Sequence, residues 1–200
     1  MRIAPQIGVI LAMTLGLSGK ALADEACEQF MDASVKAALT QFDDPLSGKH
    51  ANTLQDFVVE KVDIARIANF TLGKHSKFQS KANLQRFNLA LQHYFVEMLH
   101  ASVSNSEGAQ AEILGSHDRR PTDCIVETVF HLGEAGDSIL LWRIFHQGED
   151  YRIYDVAVRD RGNTLWLSLE LRAQFAALLE QKDGSIDLVI DNLSARTSKY

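Results

Sequence analysis

Asp155 is the side chain of this sequence best suited to acid–base chemistry. It stands between Tyr154 and Val156 in a strand-like run, where loss of solvent would raise its pKa and suit it to act as a general base. An aspartate in a half-buried strand more often serves a structural purpose, hydrogen-bonded or ion-paired, and here Arg172 and Arg143 are the candidate partners. No other catalytic pattern accompanies it. The chain has no glycine-rich phosphate loop, no GxSxG elbow, no HExxH helix and no paired cysteine ligands. His93, Glu97 and His100 are spaced to share one helix face, but polar residues on a long helix are ordinarily its solvated side. No metal or other cofactor is expected.

Charge placement says more than the catalytic inventory. No acidic residue occurs between Asp63 and Glu97, whereas Arg66, Lys74, Lys77, Lys81 and Arg86 all fall there. An acidic chain, with formal net charge −6, thus carries a local basic patch suited to a phosphate head group or an acidic partner surface. An ordinary solvated helix–loop–helix face is the competing reading. The overall negative charge argues against nucleic acid as a partner.

The N-terminus reads as a secretory leader. Arg2 supplies the positive start, residues 7–17 form an apolar run too short to cross a bilayer, and Ala21-Leu22-Ala23 places small residues at the cleavage positions. Cleavage after Ala23 would leave residues 24–200 as one domain in an oxidising compartment. Cys27 and Cys124, too far apart for a CxxC motif, would there either pair across a long loop or remain as two buried thiols.

Helical periodicity dominates the first half of the mature chain. Phe30, Val35, Ala38 and Phe42 mark an amphipathic helix ending at Asp43-Asp44-Pro45; Leu54, Phe57, Val58 and Val62 mark a second. Asp63 is placed to cap a third that stops at Gly73, and Ser80 to cap the longest, whose stripe runs through Leu84, Phe87, Leu91, Tyr94/Phe95 and Met98/Leu99. After residues 102–108 the period changes to two. Strands are expected over residues 109–114, 123–132, 138–147 and 151–160, with a turn at 117–121, before helical patterns return at 172–179 and 186–193. The fold class is α+β: N-terminal helices on a twisted antiparallel sheet, with C-terminal helices.

One strand is apolar on both faces. In residues 139–145 Ile139, Leu141 and Phe145 alternate with Leu140, Trp142 and Ile144, so both sides require cover, by helix, by a partner or by an apolar ligand.

Several segments, in order, resemble the periplasmic phospholipid-binding MlaC proteins, also called the toluene-tolerance family. They are Val62-Asp63-Ile64, Arg66-Ile67-Ala68, Leu72-Gly73-Lys74-His75, Arg86-Phe87, Tyr154-Asp155-Val156, Leu171-Arg172-Ala173-Gln174-Phe175 and Gly184-Ser185-Ile186-Asp187. The chain departs from the usual pattern at Tyr151, at Leu171 and in the turn of residues 159–164. The resemblance implies a soluble periplasmic shuttle, not an enzyme, carrying phospholipid between an outer-membrane lipoprotein complex and an inner-membrane ABC transporter. Its acyl tails would lie in an apolar cavity between sheet and helices. The candidate lining is Phe87, Leu91, Phe95, Val126, Phe130, Leu140, Trp142, Ile144, Tyr154 and Val156, and Asp155 with Arg172 becomes a framework pair. The departures allow a branch serving a hopanoid-associated or other lipid-modifying system. A small cavity-containing enzyme using Asp155 on a lipophilic substrate is the alternative of a different class.

Overall fold

The structure, a computed structural model, describes residues 22–42, 50–103, 110–133, 136–181 and 185–197. Four helices lead: α1 (Leu22–Phe42), α2 (His50–Lys61), α3 (Ile64–Leu72) and, after a 3-10 turn (Gly73–Phe78), α4 (Lys81–Val103). Five strands follow, β1 (Gln110–Arg120), β2 (Asp123–His131), β3 (Asp137–Gln147), β4 (Asp150–Asp160) and β5 (Asn163–Trp166), and two helices close the chain, α5 (Leu167–Gln181) and α6 (Ile186–Thr197). The expected leader lies outside the described residues except for Leu22 and Ala23, as does the expected stop at Asp43-Asp44-Pro45.

The caps read from the sequence are present. Asp63 Oδ1 accepts from the Arg66 backbone N–H at 3.0 Å, and Ser80 Oγ accepts from that of Asn83 at 3.1 Å, each satisfying a donor that the helix leaves unpaired. Gly73, at φ 56°, ends α3 in the left-handed region, which glycine enters at little cost.

The sheet is an antiparallel meander in the order β1-β2-β3-β4-β5. β1 is longer than the periodicity suggested. Its register shifts between Ile113 and Gly115 and again between Asp118 and Arg120, and these bulges hide the period-two signal while the pairing continues to Arg120. The expected turn at 117–121 is therefore mostly strand. The unusual segment 159–164 is a hairpin: Arg161 and Gly162 both have positive φ, 47° and 84°, the two-residue geometry that matches strand twist. It adds β5 and delivers the chain into α5 at Leu167, five residues earlier than the expected start.

One sheet face carries Cys124, Val126, Trp142, Ile144 and Ile153 into the main core, where they meet α1, α2, α3, α4, α5 and α6. Phe87 of α4 and Phe175 of α5 meet edge to face at 5.7 Å within it. The opposite face holds a smaller cluster, Ile125, Leu141 and Ala157, with Ile139 and Trp166 packed against it and the Arg159–Glu127 ion pair nearby on the same strands. Residues 139–145 are thus covered on both sides, unequally. Cys27 of α1 and Cys124 of β2 form a disulfide across a sequence separation of 97, which joins the first helix to the sheet.

Candidate functional site: an apolar cavity beside a polar pocket

Helices and sheet do not close completely on one another. Between them lies a cavity of about 520 Å³, within the range of ~300–1,000 Å³ usual for small-molecule sites. Its helical wall comes from Leu39 of α1, Phe57 of α2, and Phe95, Met98 and Leu99 of α4. The sheet wall comes from Phe130, Leu140, Trp142, Ile153 and Val156. Val158 and Leu165, cross-strand partners on β4 and β5, also line it yet are 43% and 53% exposed. The cavity therefore reaches solvent at an apolar lip. Polar atoms in the wall are few: the Trp142 indole N–H donates to Thr128 Oγ1 at 2.9 Å, which leaves that donor satisfied without a ligand.

Of the ten lining candidates, Phe95, Phe130, Leu140, Trp142 and Val156 meet at this cavity. Phe87, Leu91, Val126 and Ile144 do not. They are fully buried in the packed interior, because a helical or strand period identifies the face that turns inward but not whether neighbours close over it. Tyr154 faces elsewhere. The β3–β4 register shifts after Arg143, with Asp155 opposite Arg143 and Ile153 opposite Ile144, so Tyr154 is the extra residue of a bulge and alternation fails there. Leu39, Phe57 and Ile153 were not anticipated; Met98 and Leu99 were visible in the α4 stripe.

Tyr154 instead lines a second pocket of about 330 Å³, between α3, the β1–β2 turn and the β3–β4 bulge. Its hydroxyl donates to Asp123 Oδ1 at 2.9 Å, and Arg143 donates to both Asp123 oxygens at 3.1 and 2.8 Å. Burial works to raise the Asp123 carboxyl, but the hydrogen bonds from Arg143 and Tyr154 and the charges of Arg143 and Arg119 outweigh it and hold the group below its ordinary value. Burial, reinforced by the bond to Asp123, pushes the Tyr154 phenol up.

The expected Asp155–Arg172 pair is absent. Asp155 Oδ1 accepts from the backbone N–H groups of Val156 and Ser168, each at 3.0 Å, and Oδ2 accepts from the Ser168 hydroxyl. It caps the start of α5 from a neighbouring strand, a role that only the tertiary arrangement creates. Burial raises its carboxyl in spite of those bonds and of the Arg143 charge. Arg172 donates to the Phe70 carbonyl at 2.9 Å and its guanidinium lies 4.9 Å from the Phe70 ring centre, tying α5 to α3.

The basic patch is partly neutralised. Arg86 pairs with Asp187 at 2.8 Å, Lys74 approaches Glu180 at 3.8 Å and Arg66 pairs with Asp63 at 3.1 Å. Lys77 and Lys81 are exposed, beside Phe78 at 81% exposure. Among the described residues, no helix is long and apolar enough to cross a membrane, and no cluster of three or more His, Cys, Asp or Glu side chains could hold a metal ion.

The family model described as MlaC protein matches residues 14–195. The chain belongs to the MlaC family. Its fold is that of a solved phospholipid-binding protein from Ralstonia solanacearum in complex with a phospholipid, at TM-score 0.72 and 17% identity over 86% of this chain and 96% of that one. No curated protein sequence matches it. At Val62, where the resembling segments begin, a bridge forms to Ile153, and Asp63 donates its N–H to the Ile153 carbonyl at 2.8 Å. The α2–α3 joint thus abuts the cavity of this MlaC chain, whose wall includes Val62 and Ile153.

Proposed function

We propose that this chain binds phospholipid as a periplasmic carrier: a leader cleaved after Ala23, and one lipid-binding domain over residues 24–200 that moves lipid between outer- and inner-membrane complexes, the latter an ABC transporter. The observation that carries the reading is the apolar cavity between sheet and helices, with its exposed lip at Val158 and Leu165, in a chain of the MlaC family. The phospholipid complex of the fold relative supports the ligand class.

The energetics suit a carrier. Each methylene taken from water is worth ~0.8 kcal/mol, so a bare acyl chain cannot cross an aqueous compartment readily. Relative to the bilayer a carrier needs only to replace one apolar environment with another. A wall of aliphatic and aromatic side chains with satisfied polar atoms does this, and the open lip gives the chains a way in and out.

Asp155 does not favour the enzymatic alternative. Three hydrogen bonds, from the Val156 and Ser168 backbone N–H groups and the Ser168 hydroxyl, occupy three of the roughly four acceptor positions of its carboxylate and hold it as the cap of α5. The deciding measurement is native mass spectrometry of protein purified from the periplasm, with solvent extraction of the same sample. A bound phospholipid mass is expected; a blank in both would overturn the carrier reading.

A further inference from the structure

The polar pocket beside the cavity has the chemistry of an anion site. Its ionic lining is three guanidiniums, Arg66, Arg120 and Arg143, against two carboxylates, Asp123 and Asp155. Both carboxylates are already committed, Asp123 to Arg143, Arg119 and Tyr154 and Asp155 to Ser168 and Val156. Two of the guanidiniums are not. Arg66 uses only Nε, on Asp63, and its guanidinium lies over Phe145, 3.9 Å from the ring centre; its Nη groups make no hydrogen bond among the described residues. The Arg120 side chain makes no hydrogen bond or ion pair among them either. Two cations with unused donors, one of them stacked over an aromatic ring, face a recess whose negative charges are spoken for. Guanidiniums in that state suit a tetrahedral oxyanion.

The pocket also adjoins the apolar cavity, since Ile67 of α3 and Asp155 of β4 line both. We propose that this pocket binds a phosphate-type oxyanion, held by the free Nη groups of Arg66 and by Arg120, with the Arg143–Asp123–Tyr154 cluster as its fixed polar wall. The phosphate is that of a lipid whose tails occupy the adjoining cavity, or a free phosphate. The lipid source rests on the carrier reading; the free source does not.

Two arms separate these. The wild-type chain and the Arg66→Gln/Arg120→Gln double variant are incubated with vesicles of equal dioleoylphosphatidylglycerol and dioleoylglycerol, which share tails and differ in the phosphate head. Bound species are then counted by native mass spectrometry. Wild type is expected to favour the phosphate-bearing lipid, and the double variant to lose about tenfold of that preference per guanidinium removed, while its dioleoylglycerol uptake stays unchanged. In the second arm inorganic phosphate is titrated against sodium chloride of matched ionic strength, and the arginine side-chain resonances are followed by NMR. Phosphate-specific shifts in wild type that vanish in the double variant, without a lipid preference, assign the site to free phosphate. An unchanged lipid ratio in the double variant together with no phosphate-specific shift in wild type overturns the proposal. If wild type takes up neither lipid, the carrier reading fails and the second arm alone decides the pocket.

Discussion

Replacing both Cys27 and Cys124 by alanine is expected to lower the unfolding free energy by about 3–5 kcal/mol. The bridge closes a loop across a separation of 97 residues, for which the chain-entropy relation predicts ~4.7 kcal/mol, and native disulfides typically contribute ~2–5. Both side chains are fully buried, within the main core, so alanine also removes packing. Reduced wild type keeps its sulfurs and isolates the cross-link. With a urea slope of about 2 kcal/mol per molar, the midpoint should fall by ~2 M for the double variant and by somewhat less for wild type in dithiothreitol. The indole of Trp142, buried and bonded to Thr128, reports the transition by fluorescence. Dithiothreitol should leave the double variant where it is. Because α1 carries Leu39 into the cavity, reduction should also hasten loss of bound lipid. A midpoint shift below about 0.5 M in both reduced wild type and the double variant would refute the argument that this bridge anchors α1.

Val156→Phe adds about four carbons to the cavity wall; if these displace as many chain methylenes, lipid affinity falls by ~3 kcal/mol, about 200-fold, and unchanged occupancy by native mass spectrometry would count against the cavity as the lipid site. Ser168→Ala removes a donor from the buried Asp155 and should cost ~1–3 kcal/mol in urea unfolding; a cost below the error of the melt would show that the α5 cap is dispensable. Asp155, raised in the folded state, contributes stability that is present below its unfolded value near 3.8 and lost as pH rises through its folded value. Asp123, lowered, contributes stability present above 3.8 and lost as pH falls. Asp155→Asn should therefore flatten the pH dependence of the urea midpoint just above pH 3.8, and an identical slope in wild type and variant would contradict the assignment. Reversing Lys74, Lys77 and Lys81 to Glu should slow lipid delivery to a membrane complex about tenfold without emptying the cavity, and equal transfer rates would remove the patch from the docking surface.

Local signals proved sufficient for much of the architecture. Asp63, Gly73 and Ser80 act through hydrogen bonds and φ values reaching only a few residues along the chain, so their residue types predicted the helix ends. Strand alternation in residues 123–132 likewise recorded which side chains turn inward. Where a bulge intervened, as at Gly115 and Tyr154, the period was lost, and with it the length of β1 and the orientation of Tyr154.

The cavity and its polar neighbour belong to a different order of information. Sequence alone determined that this is an α+β chain with a wide apolar stripe on α4, a doubly apolar β3, a charged residue inside β4 and segments ordered as in the MlaC family, because period, capping and composition are properties of neighbouring residues. Only the tertiary structure decided that Phe87 and Leu91 are packed shut while Phe95 and Met98 face open space. It alone placed Ser168, rather than Arg172, on Asp155, and Glu180 and Asp187 beside the lysine-rich segment. Those outcomes depend on contacts between elements tens of residues apart, and such contacts are set by how helices and sheet fit together, which no local period encodes.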